Sequence, residues 1–203
     1  MATVAAPYGL RPVNLIGGQP YAGSVREIKI ASAYAANIFY GQPVIVTTNG
    51  VLNAETGTST VTATGVAGVF LGCSYTDATL GKVFRQYWPT GTVAADAVGY
   101  VADDPNIVMQ IQADGSVAQT ALGANIGFGT SAGSTSTGNA TTPAATSTLN
   151  TTASLPLRII GFVNGPTSAV GDAYTDILVK WNMPYSNSNV MTGGHAYMNP
   201  TGI

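Results

Sequence analysis

Apolar and polar positions along this chain alternate with a period of two, in short runs that stop at Gly, Asn, Asp or Pro. Between Tyr174 and Trp181 the alternation puts Ile177, Val179 and Trp181 on one face of an extended strand and Asp176, Leu178 and Lys180 on the other. Leu157 to Val163 is a second strand, closed by Asn164-Gly165-Pro166. Further strands are expected at Ser24 to Ile30, Pro43 to Thr48, Val66 to Tyr75, Lys82 to Trp88, Val98 to Ala102 and Ile107 to Gln112. Two tight hairpins are expected, because Asn-Gly and Asp-Gly tolerate the positive φ of short turns. One folds Pro43–Thr48 onto Val51–Asn53 through Asn49-Gly50; the other folds Ile107–Gln112 onto Ser116–Ala118 through Asp114-Gly115. No window long enough for three helical turns has helical periodicity without an internal Gly or Pro. The fold class is therefore all-β, a barrel or sandwich of about ten short antiparallel strands.

The chain divides into three parts. Residues 1–22 read as an extended N-terminal arm, since Pro7, Pro12 and Pro20 oppose both helix and central strand. Tyr8, Leu10, Leu15 and Ile16 give that arm apolar side chains with which to dock. Residues 23–182 form the β-rich body. Within it, 129–154 is a low-complexity stretch of Ser, Thr, Gly and Ala with one large apolar residue, Leu149, which by itself cannot bury enough to offset its ordering entropy. It is either mobile or ordered by a neighbour. Residues 183–203 read as an extended C-terminal arm, without Asp, Glu, Lys or Arg but carrying Tyr185, Met191, Tyr197 and Met198. Both arms are expected to order on a partner.

Charge changes the functional picture. The 203 residues hold only 7 Lys+Arg and 9 Asp+Glu, 8% of the chain against about a quarter in an ordinary soluble domain. Side chains for acid–base or nucleophilic chemistry are scarce, and a charge-poor surface suits assembly against other protein better than a free monomer. An enzyme is not expected. The basic residues are scattered singly, so neither nucleic acid nor a membrane surface is an expected partner. No apolar run approaches the ~18 residues of a membrane helix. Met1 to Leu10 has neither a basic start nor a long apolar stretch, so no secretory signal is expected there. The single cysteine, Cys73, lies in an apolar run and is expected to be a small buried side chain.

Each apparent motif has a simpler explanation. Gly129-Thr130-Ser131-Ala132-Gly133, followed by Asp172 or Asp176 and then His195, has the residue order of a hydrolase nucleophile elbow, but no helix follows the serine. Asp103-Asp104-Pro105-Asn106 offers oxygens to calcium, yet the same residues make a turn between strands. No cofactor or metal site is expected. Trp88, Trp181 and the ten tyrosines allow a carbohydrate platform; Trp181 alternates with core positions, whereas Trp88 ends a strand where an interface role fits.

Four stretches, in this order and spacing, resemble structural proteins of tailed bacteriophages, in particular capsid decoration (cement) proteins. They are APYGLRPVNLIGG at 6–18, YGQPVIVTTNGVL at 40–52, GYVADDPNIVMQIQADG at 99–115, and LPLRIIGFVNGP with AVGDAYTDILVKWN within 155–182. The resemblance implies a β-rich virion protein, made in the host cytoplasm, that binds the exterior of the capsid and stabilises it. Its implied partners are the major capsid protein and further copies of itself. The expected interface residues are Tyr8, Leu10, Leu15, Ile16, Trp88, Tyr185, Met191, Tyr197 and Met198. A tail or head–tail connector component and a glycan-binding virion module are the alternative readings.

Overall fold

The computed structural model describes residues 4–55, 65–182, 185–187, 190–192 and 195–198. Its strands are β1 (Arg11–Leu15), β2 (Arg26–Lys29), β3 (Pro43–Val46), β4 (Leu52–Ala54), β5 (Gly68–Asp77), β6 (Gly81–Arg85), β7 (Val98–Ala102), β8 (Ile107–Gln112), β9 (Asn125–Phe128), β10 (Ala144–Asn150), β11 (Leu157–Phe162), β12 (Asp176–Trp181), β13 (Tyr185–Asn187) and β14 (Val190–Thr192). The first sheet has the order β1-β8-β12-β11-β9-β10, and the second has the order β2-β7-β5-β3-β4. β3 and β6 share the side of β5 opposite β7: Val69 pairs with Pro43 and Ala102, and Cys73 pairs with Arg85 and Gly99. β13 and β14 pair with each other. All of these pairings are antiparallel, and the architecture is a sandwich rather than a closed barrel.

The strand alternation decides where the cores sit. Ile107, Met109 and Ile111 of β8, Leu157 and Ile159 of β11, and Ile177, Val179 and Trp181 of β12 are fully buried in a first core. Val69 and Ala102 from the second sheet close it. A second core lies on the other face of the second sheet. There Ile28, Val44, Leu52, Phe70, Cys73, Tyr75 and Val101 are capped by Ile30, Ile38, Trp88 and Ala97 from the connecting segments. Each fully buried aliphatic side chain contributes roughly 1.5–3 kcal/mol of transfer free energy.

Three local expectations are corrected by the structure. Residues 11–15, expected in an arm that orders on a partner, form an edge strand of this chain: β1 pairs with β8, and Leu10 is fully buried with its N–H donating to Gly41 O at 2.8 Å. Pro12 is tolerated because β1 is the outermost strand, with a register shift between Pro12 and Asn14. The hairpin at 43–54 exists, but its loop is longer than a two-residue turn. Thr47 N–H bonds Val51 O at 2.9 Å and Gly50 N–H bonds Thr47 O at 2.8 Å, so only Gly50, at φ +70°, takes the left-handed conformation. The Asp114-Gly115 hairpin does not form. Both edges of β8 are occupied, by β1 and β12, and Gly115 is absent from the positive-φ glycines. Asp114 instead ties two chain segments together, accepting Thr146 N–H at 2.8 Å and the Thr146 hydroxyl at 2.6 Å.

The stretch 129–154 is ordered by the rest of the chain. Ala144 and Ala145 of β10 pair with Phe128 and Gly127 of β9. Thr142, Ala140 and Ala144 are fully buried, Asn139 bridges to Tyr40, and a Cβ on Gly133 would lie 2.2 Å from the Phe39 ring. Among the described residues no helix is long and apolar enough to cross a membrane.

Candidate functional site

The most distinctive surface is built on the β5–β6 hairpin. Asp77 nucleates the turn: its Oδ1 accepts the N–H groups of Thr79 at 2.9 Å and Leu80 at 3.0 Å, which hold its carboxyl below the ordinary aspartate value. Near the tip, Asp96 accepts Thr76 N–H at 2.9 Å, Thr76 Oγ1 at 2.7 Å and Lys82 Nζ at 3.1 Å. Those bonds keep the Asp96 carboxyl ionised well below its usual range, the backbone bond contributing most. They also fasten the 92–97 loop to the hairpin and engage the Lys82 charge.

Around this lock the large apolar side chains point outward. Leu80 at the tip is 66% exposed, Phe84 on β6 74% and Val93 on the fastened loop 78%. β6 alternates so that Val83 packs on the second core while Phe84, opposite Ser74, faces the other way. On that face an open cleft of about 450 Å³ is lined by Tyr40, Leu71, Phe84, Gln86 and Tyr100. The Tyr100 hydroxyl donates to Ser74 Oγ at 3.0 Å. Among the described residues β6 pairs only with β5, and the Arg85 guanidinium has no ion-pair partner. What the site offers is contact: exposed apolar groups, an open strand edge and a cation, on an otherwise charge-poor surface.

The expected interface residues are not gathered into one surface. Leu10 and Trp88 are fully buried, in the first and second cores respectively. Trp88 meets Tyr75 edge-on with ring centroids 5.4 Å apart. It is therefore a core residue and not a strand-end anchor. Tyr8 is half-buried and donates to Asp176 Oδ1 at 2.8 Å, with the Arg11 guanidinium 4.2 Å from its ring centroid. Burial first, and then the Asp176 carboxylate, push its phenol far above the ordinary value. Leu15 is half-buried in β1, and Ile16 beyond it is 49% exposed. Tyr197, 43% exposed, lies under the Arg26 guanidinium at 5.2 Å, and Met198 packs on the first core. The side chains of Tyr185 and Met191 lie outside the described residues.

Both ends of the chain converge on the 103–106 turn. Ile16 N–H bonds Asn106 O at 2.9 Å, Arg26 pairs with Asp103, and Tyr197 lies over Arg26. The turn reading holds: Asp104 Oδ1 accepts Asn106 N–H at 2.8 Å and Asp104 O accepts Ile107 N–H at 3.1 Å. Among the described residues no cluster of three or more His, Cys, Asp or Glu is placed to hold a metal ion. The elbow-like residues are apart in their bonding. Ser131 Oγ lies 3.2 Å from Thr142 Oγ1, whereas His195 is fully buried beside Trp181 and its Nδ1 accepts Tyr197 N–H at 3.3 Å. Burial holds the His195 imidazole neutral, down at about 4. Cys73 is buried as expected, its thiol pushed up to about 12 by desolvation.

Sequence reasoning missed Leu80, Phe84 and Val93. The alternation of Lys82-Val83-Phe84-Arg85 was a usable signal, since a strand with Val83 inward must carry Phe84 outward. Compared with known proteins, the chain matches no family model, no curated protein and no solved structure.

Proposed function

We propose that this chain is a virion structural protein of a tailed bacteriophage that binds the outer surface of the assembled head and stabilises it. The observation that carries the reading is three exposed apolar side chains, Leu80 and Phe84 on the β5–β6 hairpin and Val93 on the loop fastened to it, on a chain with only 8% charged residues. A protein free in solution gains nothing from such exposed apolar side chains; a docking protein does. The resemblance to decoration proteins supports the same role. Three of its four stretches supply β1, β8, β12 and β11, which are consecutive in the first sheet, and the third and the remaining one also supply β7 and the β3–β4 hairpin of the second. The shared features are thus the framework.

The mechanism is linkage. A protein that binds the assembled shell and not its dissociated subunits stabilises the shell by mass action. Repetition over many equivalent sites turns a modest contact into resistance to heat and internal pressure. The glycan-binding alternative loses its tryptophans, because Trp88 and Trp181 are both fully buried.

The test is protection of empty heads. Purified chain added to heads lacking it raises their disruption temperature in a saturable way, and Leu80→Ser/Phe84→Ser, which leaves both cores intact, binds more weakly and protects less. Heads disrupted at the same temperature with and without the chain would overturn the proposal.

A further inference from the structure

β6 is an edge strand whose usual protection has been removed. An edge lysine ordinarily discourages pairing with another chain, but Lys82 is drawn to Asp96 at 3.1 Å. The remaining side chains of the edge are complementary to themselves. We propose that two copies of this chain join through β6, antiparallel about a two-fold axis at Val83, to form one continuous sheet.

The register follows from which residues share a face. Pairing across the hairpin is Cys73 with Arg85, Tyr75 with Val83, and Asp77 with Gly81, so Arg85, Val83 and Asp77 lie on one face and Lys82 and Phe84 on the other. A two-fold axis perpendicular to a sheet must pass through a residue position, because directly opposed residues point to the same side. An axis at Lys82 or at Arg85 sets like charges directly opposite, which is destabilising. An axis at Phe84 sets Arg85 against Val83 of the other copy, in a row that continues to Tyr75 and holds no carboxylate. An axis at Gly81 overlaps little more than the turns.

An axis at Val83 satisfies every row. Val83 meets Val83. Lys82 of each copy lies opposite Phe84 of the other, its aliphatic stem beside the aromatic ring while its ammonium stays on Asp96. Arg85 lies opposite Gly81, and the next residue in that row is Asp77 of the second copy. The two strands between them span about 10 Å, and Gly81 has no side chain to obstruct a guanidinium reaching across. Asp77 uses Oδ1 for the turn N–H groups, leaving Oδ2 for the arginine. The same alignment brings the Leu80 tip of each copy beside Gln86, at the end of the cleft lined by Phe84 and Tyr100. Two of the three most exposed apolar side chains around the hairpin are thereby covered. The inference concerns the free chain and does not rest on the head-binding reading; a chain that docks on a shell through Leu80 and Phe84 must first leave the dimer.

Sedimentation equilibrium of the full chain tests it. The expected result is a reversible dimer that weakens as salt is raised. Arg85→Glu, which turns two attractions per dimer into repulsions, weakens it by roughly tenfold or more. Phe84→Lys, which sets lysine against lysine, does the same, and neither variant changes the far-ultraviolet circular dichroism. Under mild oxidation Val83→Cys cross-links into a covalent dimer, whereas Phe84→Cys does not. A wild-type chain that stays monomeric at every concentration reached, a dimer indifferent to both charge variants, or preferential cross-linking through position 84 would each overturn the proposal.

Discussion

His195 makes stability depend on pH in a window that separates it from the carboxylates. The imidazole is fully buried, its ring centroid 5.8 Å from that of Trp181 and 5.4 Å from that of Tyr197. Ala196 N–H anchors the segment to Val66 O at 2.8 Å. Burial lowers the imidazole from its ordinary 6.5 to about 4, against a smaller upward pull from Asp103, the Ala67 backbone and Asp104. The unfolded chain therefore takes up a proton near 6.5 that the folded chain refuses until about 4. Stability is unaffected by this group above 6.5, falls as the pH drops toward 4, and loses nothing further from it below that. At 1.36 kcal/mol per unit, the full difference amounts to about 3 kcal/mol, a substantial share of an ordinary domain's stability. Asp77 and Asp96 act lower: their folded values lie below 3.8, so the stabilisation they give is present above that value and is lost only in stronger acid. Urea titrations from pH 7.5 to pH 4.5, followed by tryptophan fluorescence and circular dichroism, measure the slope directly. The wild type holds its stability down to about pH 6.5 and loses it progressively below that, and His195→Phe, which keeps an aromatic ring against Trp181, loses far less. Equal slopes in the two proteins would refute the burial argument.

Other substitutions probe the turn, the low-complexity stretch and the cysteine. Gly50→Val costs about 1–2 kcal/mol through backbone strain, because the position is left-handed yet has open space around it, and the thermal midpoint drops accordingly. Gly133→Ala forces a methyl against the Phe39 ring and lowers the melting temperature by an amount equivalent to about 1–3 kcal/mol; an unchanged midpoint would mean that 129–154 is not seated on Phe39. Cys73, 1% exposed and with its thiol pushed up to about 12, is protected from a thiol-specific reagent in the folded chain, so its labelling is slow in buffer and accelerates in denaturant.

The parts of this fold visible in the sequence are those that local chemistry decides. Ile177, Val179 and Trp181 alternate with less buried neighbours and are all core, and Asn49-Gly50 marks a real reversal, although with a longer loop than the dipeptide suggested. Much of what stayed hidden depends on residues far apart in the chain. Asp114-Gly115 looks like a hairpin turn, but β8 finds its partners at β1 and β12, and Asp114 is used to hold Thr146. The Ser/Thr-rich stretch has little apolar content of its own, and its order comes from Phe39, Tyr40 and β9. Pro12 argued for an arm because proline is excluded from central strands, and β1 is not central. Trp88 was misjudged because a strand-end position does not show that Ile38 pairs with it and Tyr75 packs on it. The hairpin surface was legible as a strand but not as a site, since composition does not reveal that Asp96 fastens the loop carrying Val93 to the hairpin that carries Leu80 and Phe84.

The most direct test of the head-binding role is an electron cryo-microscopy reconstruction of empty heads incubated with the purified chain. The account predicts added density on the outside of the shell, repeated over the capsid subunits, with the hairpin carrying Leu80 and Phe84 turned toward the shell surface. Added density confined to a single vertex or to the tail, or a shell identical with and without the chain, would contradict it.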